Sequence, residues 1–264
     1  MQVAFWTNVR GRAGNSSLAA SIGTAIALEH KYSTVMVNGT SENSIYQLFG
    51  MNEERNGTTA YRGVMSALHL ARADKLNTNN IRNYCRTLIK NGNLDLFEDS
   101  IWCENHTFTE SQGAYGKAID CLKASYDVVC YDIGAGTDNH LSNYILEQSD
   151  LIVISVPQDR NQWDNLSKLK KGNSLFKNKT ILYAITKYDY QSRVKLSNIK
   201  REYRMDPLID IPYDVDFMDS SNEGKVVDFL IRTFQCKKDE DSYPFITKLK
   251  VLTEAIIEIK RDII

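Results

Sequence analysis

The chain opens on a strand, a glycine-containing loop and a helix, and this order constrains its fold more than any other stretch. Val3 to Trp6 is a short apolar run that predicts a buried strand. A loop with Gly11 and Gly14 follows, and the apolar residues from Leu18 to Glu29 recur at helical spacing. Backbone N–H groups and the dipole of such a helix converge on one point, so this layout is typical of a phosphate-binding loop.

The side chains of this loop depart from the pattern G-x-x-x-x-G-K-[ST], in which a lysine reaches the β- and γ-phosphates and a hydroxyl binds Mg²⁺. Gly14 is followed by Asn15 and Ser16, so the hydroxyl is present and the lysine is absent, while Val9 stands at the first glycine position. Strand-to-helix turns that contain glycine are also common in α/β folds without this function. The loop alone leaves both interpretations open.

The composition of the chain gives no indication of a nucleic-acid-binding protein, a membrane protein or a zinc protein. The 264 residues carry 32 Lys and Arg against 33 Asp and Glu, so the net charge of -1 indicates no general affinity for nucleic acid or membrane. The N-terminus begins in a strand without a basic, apolar leader, and we find no apolar run of about 18 residues. The five cysteines and four histidines are scattered without metal-ligand spacing. We therefore expect a soluble, cytoplasmic protein with reduced thiols and no zinc site.

Apolar runs and helical patterns alternate along the rest of the chain. The predicted strands after the first are 33–38, 94–97, 126–132, 150–157, 180–185 and 208–212. The predicted helices are 18–29, 45–49, 61–71, 79–90, 111–124, 141–148, 161–171, 192–203, 224–232 and 243–261. This alternation predicts βαβ units, and hence a parallel sheet that helices cover on both faces. No linker or internal repeat divides the chain, so we expect one α/β domain over residues 1–264.

In such sheets, ligands bind where the carboxyl ends of the strands empty into loops. Five residues are predicted at these ends, beside the glycine-containing loop: Asn38, Asp132, Pro157, Thr186 and Pro212.

Several stretches, in order, resemble the deviant P-loop ATPases of the ParA/MinD family. Residues 10–17 (RGRAGNSS) lie without a gap over the family loop K-G-G-x-G-K-[ST]-[ST], and residues 126–136 resemble its strand leading into D-x-x-x-G. Further similarities are 150–158 to the next family strand, 186–189 (TKYD) to N-[RK]-x-D, and 211–214 (IPYD) with 222–227 (NEGKVV) to I-P-x-D…G-x-x-V. The resemblance covers nearly the whole chain. It implies a mostly parallel twisted sheet, ATP or ADP as ligand, and Mg²⁺.

Within this family, the IPYD and NEGKVVDF stretches and the altered loop look most like the TadZ/CpaE branch. Those proteins are localisation and assembly factors for tight-adherence (Flp-type) pili. They usually carry a receiver-like domain ahead of the ATPase domain, and this sequence has none.

The resemblance also assigns the expected roles of individual residues. The nucleotide phosphates would lie on Arg10, Gly11, Arg12, Ala13, Gly14, Asn15, Ser16 and Ser17. Ser16 would offer its hydroxyl to Mg²⁺ and Asp132 would hold the ion through water, with Gly136 at the turn that senses a γ-phosphate. Thr186, Pro212 and Tyr213 would lie against the base. Arg10 takes the position of the family's signature lysine, and Arg12 replaces a glycine.

Three departures bear on hydrolysis. Asn15 replaces the lysine that neutralises the β- and γ-oxygens, and Asn38 and Thr40 replace the two acids of the family's D-x-D. Each positioned group of this kind is typically worth about 10²-fold or more in rate. We therefore expect slow or absent hydrolysis, with no confident catalytic residue, while nucleotide binding is retained.

Each assigned residue also has an ordinary structural interpretation. Asp132 would cap the turn after its strand, and Ser16 would cap the first helix. Thr186 would be a common strand-end residue, and Pro212 with Tyr213 would only end a strand.

Two surface features suggest other partners. Lysines at 168, 170, 171, 177 and 179 lie in a stretch without acids, which predicts a patch for DNA phosphate or an acidic partner or, in preference, a solvated surface. The C-terminal helix is amphipathic and ends in Lys260 and Arg261, which is compatible with membrane targeting. Glu254 and Glu258 dilute its basic face, so we expect it to pack on the domain.

Three functions compete. The favoured one is a homodimeric, ParA-like scaffold with little or no hydrolysis, which positions a pilus or secretion assembly through protein contacts, at a cell pole or near the membrane through its partners. The alternative is an ATP-hydrolysing partition or positioning enzyme for DNA segregation or division-site placement, with Arg10 or Arg12 substituting for the lost lysine. An enzyme of the nitrogenase-iron-protein or dethiobiotin-synthetase kind ranks last, because no cysteines stand at matching positions.

Overall fold

The computed structural model describes residues 1–42, 44–51, 63–89, 93–98 and 100–263. Within these ranges, eight strands form one sheet in the order β3-β4-β2-β5-β1-β6-β7-β8. The strands are β1 (Gln2–Thr7), β2 (Thr34–Asn38), β3 (Cys85–Ile89), β4 (Leu94–Phe97), β5 (Val128–Ala135), β6 (Leu151–Pro157), β7 (Thr180–Tyr188) and β8 (Leu208–Pro212). All neighbours pair in parallel except β3, which runs antiparallel to β4 at the sheet edge. The predicted fold class is confirmed.

Strand β1 lies between β5 and β6, so the glycine-containing loop leaves from the middle of the sheet. Phe5 stands opposite Asp132 of β5 and Val153 of β6. Asn38, the last residue of β2, pairs with Asp132 in turn. This register brings the carboxyl ends of β1, β2 and β5 together at one edge, which is where ligands bind in open α/β sheets.

The described helices cover both faces of the sheet. They are α1 (Asn15–Ala25), α2 (Ser44–Leu48), α3 (Val64–Arg72), α4 (Asn105–Ser125), α5 (His140–Gln148), α6 (Arg160–Gly172), α7 (Leu196–Tyr203), α8 (Val215–Asn222), α9 (Val226–Thr233) and α10 (Tyr243–Ile263). One apolar core joins Trp6 and its face of the sheet to α3–α7, and the other joins Phe5 and the opposite face to α1, α2, α9 and α10. Because side chains alternate along a strand, the neighbours Phe5 and Trp6 enter different cores.

The helix predicted over 79–90 is wrong in the described part of that range. Ile81–Tyr84 forms one 3₁₀ turn, and Cys85–Ile89 is then the edge strand β3. Cys85 pairs with Phe97 and Ile89 with Leu94. The apolar residues fit a helical face by spacing, but a short apolar run is ambiguous, and pairing with β4 decides it. Lys90 lies outside the described residues.

Several boundaries differ from those predicted. Helix α1 begins at Asn15 and continues as a π-helical turn over Ile26–His30. Helix α4 begins at Asn105, six residues before its predicted start, and β5 runs past Asp132 to Ala135. Helix α8 has no counterpart in the predicted elements; Asp214 caps it by accepting a 2.6 Å hydrogen bond from the Phe217 N–H. Residues 61 and 62 of the predicted helix 61–71 lie outside the described ranges.

Candidate functional site

The loop between β1 and α1 has the backbone shape of an anion cradle. Gly11 and Gly14 adopt left-handed conformations with φ of 75° and 57°, which glycine enters without the clash of a Cβ. Gly14 directly precedes α1, and the Leu18 N–H donates to its carbonyl at 2.9 Å. The N–H groups of residues 15–17, in the first turn, have no acceptor within the helix. They are therefore available to an anion at the positive end of the helix dipole.

Two adjoining cavities open beside this loop. The larger, of about 660 Å³, is lined by residues 9–17 and by loops that follow β2 and β5. The smaller, of about 240 Å³, is lined by Leu18 and by Thr186, Pro212 and Tyr213. Gly14, Ser17 and Lys187 line both cavities. The structure thus brings the predicted phosphate residues to one cavity and the three predicted base residues to the other.

Asn15, at the position of the family lysine, turns its side chain toward the interior. Its amide group donates to the Asp132 carboxylate at 2.8 Å and to the Phe5 carbonyl at 3.0 Å. Its oxygen accepts from the Ser155 hydroxyl at 2.7 Å. With Asn15 only 7% exposed, these bonds engage both polar ends of the side chain. A neutral side chain fixed in this way supplies no charge to a phosphate.

Asp132 is fully buried within β5, and one of its oxygens has no partner among the described residues. Oδ1 accepts the bond from Asn15, whereas Oδ2 is shielded from solvent and makes no hydrogen bond within the described part of the chain. Burial raises the pKa of this carboxyl, and the nearby Ser16 hydroxyl, Asn15 amide and Gly134 N–H oppose that shift. An unpaired carboxylate oxygen in a dry position is costly unless a ligand or cation satisfies it.

The donor atoms fit a hydrated magnesium ion. Ser16 is half-buried at the first turn of α1, and its hydroxyl lies 3.0 Å from that of Ser44. Mg²⁺ prefers hydroxyl, carboxylate and water oxygens and keeps several waters when it is bound with phosphate. The Ser16 hydroxyl, which lines the larger cavity, and the unpaired oxygen of Asp132, which is buried directly before the cavity-lining Ile133, are groups of this kind. When bound, the ion would neutralise phosphate charge.

Asn38 and Thr40, which stand at the positions of the two family acids, are hydrogen-bonded to each other. Asn38 is fully buried, and its Oδ1 accepts from the N–H of Thr40 at 3.1 Å and from its hydroxyl at 2.9 Å. Its amide donates to the Glu42 carbonyl at 3.1 Å. This closed turn is neutral, and its hydrogen-bonding groups point at one another. It has the geometry of an Asx turn rather than of a site that positions water.

The turn that follows β5 is tied to the end of β1. The Trp6 indole N–H donates to the Gly136 carbonyl at 2.8 Å, and the Gly136 N–H donates to the Thr7 carbonyl at 3.3 Å. The Gly136 N–H, predicted as a γ-phosphate sensor, thus has a protein acceptor in this structure. Ile133, Gly134 and Ala135 line the larger cavity instead.

On the base side, Thr186 is buried and its hydroxyl donates to the Ala13 carbonyl at 2.7 Å. That bond ties the end of β7 to the phosphate loop. Pro212 ends β8 and Tyr213 follows it, half exposed, with its hydroxyl 2.7 Å from the Met218 sulfur. The base contacts themselves stay a prediction.

Charged side chains surround the larger cavity. Arg10 and Arg12 are exposed on its rim, and neither forms an ion pair in the described structure. Sequence reasoning missed four further charged residues at this cavity: Glu42, Glu104, Asp138 and Lys187. Glu42 lies outside every motif, so no sequence signal marks it. Lys187 stands inside the TKYD stretch, which contained the available signal.

Two lysines of the predicted patch are half-buried and hydrogen-bonded within the domain. The Lys170 ammonium donates to the Tyr183 hydroxyl, and Lys179 donates to the carbonyls of Glu147 and Ser149. Burial lowers the pKa of both lysines. Lys168, Lys171 and Lys177 remain exposed.

Helix α10 packs on the domain, as expected. Leu249, Leu252 and Ile256 are fully buried against the core that contains α1. None of the helices in the described ranges is both long enough and apolar enough to cross a membrane.

No protein-family model matches the sequence, and no curated protein is significantly similar to it. Solved structures do match. A ParA family ATPase from Chlorobium tepidum is 17% identical, with 96% of this chain and 98% of that chain covered and a TM-score of 0.74. A chain of the MinC:MinD cell division protein complex of Aquifex aeolicus is 13% identical, with 98% of this chain and 96% of that chain covered and a TM-score of 0.73. The chain has the ParA/MinD fold.

MinD of Pyrococcus horikoshii, solved with Mg-ADP, is 17% identical, with 98% of this chain and 99% of that chain covered and a TM-score of 0.64. The TM-scores of these structures show a shared fold, while the function of this chain has to be argued from its own site.

Proposed function

We propose that this protein is a ParA/MinD-like ATP-binding protein with eroded catalytic residues, which acts as a dimeric localisation or assembly factor. The observation that supports this function is a contrast within one site. The backbone of the phosphate loop is open to a cavity of about 660 Å³, whereas Asn15 is hydrogen-bonded into the sheet. Nucleotide binding relies mainly on backbone N–H groups, whereas hydrolysis relies on positioned charges. Loss of the charges therefore abolishes hydrolysis before it abolishes binding.

Magnesium is part of the proposal. The unpaired oxygen of Asp132 and the hydroxyl of Ser16 provide the oxygen donors that a hydrated ion prefers. The Mg-ADP complex of the Pyrococcus horikoshii protein supports this assignment by similarity of fold.

The finer part of the proposal is a role in a Flp/Tad-type pilus or a related secretion system, carried out through protein partners. It rests on the resemblance of the IPYD and NEGKVV stretches to the TadZ/CpaE branch. In the structure the IPYD stretch lines the base-side cavity, and the NEGKVV stretch contains the connection from α8 to α9. A Cβ on Gly224 would come within 2.4 Å of the Gly50 Cα, which accounts for glycine at that position. The MinC:MinD complex shows that a protein of this fold binds a protein partner.

Thermal unfolding with Mg-ATP, Mg-ADP and no nucleotide tests the binding half of the proposal. A ligand at 100 times its Kd adds about 2.7 kcal/mol, which shifts the midpoint by a few degrees in a chain of this size. The shift should disappear in Asp132→Ala and persist in Asp239→Ala, which removes an exposed carboxylate outside both cavities. Isothermal titration with Ser16→Ala, a milder change, provides a second measurement if Asp132→Ala unfolds.

Phosphate release under the same conditions tests the catalytic half. We expect no release above the background given by the Asp132→Ala protein. A nucleotide-dependent turnover that the Asp132 change abolishes would support the ATP-hydrolysing alternative instead. If neither nucleotide shifts the wild-type midpoint or gives heat on titration, the proposed function is wrong.

A further inference from the structure

The end of β7 carries a backbone irregularity beside the phosphate loop. The pairing of β7 with β8 shifts register between Ile185 and Tyr188, and Lys187 within that shift has a left-handed φ of 52°. A residue with a Cβ is disfavoured there by roughly 1–2 kcal/mol. Bulges of this kind often re-aim a side chain next to a functional site. Strain at such a position is a reason to ask what the side chain does.

The side chain of Lys187 reaches the loop. Its Cε lies 3.8 Å from the position that a Cβ on Gly14 would occupy. The preceding residue, Thr186, is bonded to the carbonyl of Ala13 on the same loop, so the end of β7 is fixed against it. Lys187 is exposed and makes no hydrogen bond or ion pair within the described part of the chain. An unpaired cation is thus held against the anion cradle.

The position of Lys187 also fits the shape of a nucleotide. It lines both the larger cavity, beside the cradle, and the smaller cavity, beside Pro212 and Tyr213. A nucleotide with its phosphates in the first and its base in the second would pass Lys187 where the two cavities meet.

Resting on the proposed function, we propose that Lys187 is the phosphate-binding lysine of this site and supplies from β7 the positive charge that Asn15 does not supply from α1. The two positions are 172 residues apart in the sequence but adjacent at the carboxyl edge of the sheet. The site thereby keeps a positive charge for phosphate binding, but this charge approaches the phosphates from β7 rather than from the first turn of α1.

The test is isothermal titration of three ligands, Mg-ATP, adenosine and tripolyphosphate, into the wild type, Lys187→Gln, Lys187→Arg and Lys238→Gln. Lys238 is an exposed lysine that lines neither cavity, so its variant controls for lost net charge. A hydrogen bond to a charged group contributes about 1.5–3 kcal/mol. Lys187→Gln should therefore weaken Mg-ATP and tripolyphosphate by roughly 10- to 100-fold and leave adenosine unchanged. Lys187→Arg should recover part of the affinity, and Lys238→Gln should match the wild type.

The outcomes separate this inference from the proposed function. Mg-ATP binding that is equal in the wild type and Lys187→Gln overturns the inference and leaves the proposed function standing. An equal loss for adenosine and Mg-ATP also overturns it, because the side chain would then act through the base pocket. Tripolyphosphate binding that depends on Lys187, without any nucleotide binding, supports the inference and refutes the proposed function. A wild type that binds none of these ligands refutes both.

Discussion

Asn15 joins the phosphate loop to the centre of the sheet through three short hydrogen bonds. Asn15→Ala removes the partner of Asp132 Oδ1, of the Phe5 carbonyl and of the Ser155 hydroxyl, all of them buried. Leaving buried polar groups without partners costs about 1–3 kcal/mol each, with partial compensation inside a network. We expect the free energy of unfolding to fall by roughly 2–4 kcal/mol in urea titrations.

A matched control for this change is Asn198→Ala, an exposed asparagine on α7. Its effect should stay within about 0.5 kcal/mol. Equal stability of the two variants would contradict a structural role for the Asn15 network.

Asp132 should make the stability of the protein depend on pH. Burial raises the pKa of its carboxyl above the ordinary value of 3.8, so the folded state holds the proton to higher pH than the unfolded state does. The free energy of unfolding therefore falls as the pH rises from about 3.8 through the raised pKa. Asp132→Asn removes this penalty, and we expect it to be more stable than the wild type at pH 7, with a smaller difference near pH 4.

Urea titrations between pH 4 and pH 8, without nucleotide or magnesium, measure this difference. A wild-type advantage that grows with pH would show that the ionised carboxylate is stabilised in the fold. We also expect Asp132→Asn to lose stabilisation by Mg-ATP, because an amide does not attract a cation as a carboxylate does. Stability gained at the expense of binding is a common consequence of replacing a functional polar group.

At the level of elements, α10 is a structural helix of the domain. Leu252 is fully buried, whereas its neighbour Val251 is 48% exposed. Leu252→Ala should lower the free energy of unfolding by about 2–5 kcal/mol, since the lost contacts leave a cavity. Val251→Ala should change it by less than about 0.5 kcal/mol. Equal small effects, together with binding of α10 to anionic vesicles, would instead identify a detachable membrane helix.

The elements also show where sequence reasoning succeeds and where it does not. Strand β6 is an apolar run interrupted only by Ser155, and such a run in an alternating α/β pattern was correctly predicted as a buried parallel strand. Residues 85–89 have apolar positions that suit a helix as well as a half-buried strand. The choice depends on antiparallel pairing with β4, the next strand along the chain, and the spacing of apolar residues within 85–89 does not encode that pairing.

For the whole molecule, the surface offers little support for DNA binding. With Lys170 and Lys179 engaged internally, three lysines of the patch remain exposed on a chain of net charge -1. Three phosphate contacts provide a small counterion-release term. We expect no DNA binding in fluorescence anisotropy at about 10 µM protein and 150 mM salt, where non-specific binders have a Kd of about 10⁻⁴–10⁻⁶ M.

A variant with glutamine at 168, 171 and 177 should behave in the same way. Salt-sensitive binding by the wild type, lost in that variant, would revive a partition function that uses DNA.

The sequence by itself determined the alternation of strands and helices apart from β3 and α8, the position of the phosphate loop and the absence of its lysine. These properties follow from local patterning, because apolar spacing and glycine placement act over a few residues. Only the tertiary structure decided that Asn15 bonds to Asp132 and Ser155, and that Lys187 lies against Gly14. Those contacts join residues more than a hundred positions apart. They depend on the strand order, on the register of β1 with β5 and on a bulge in β7, which no local pattern specifies.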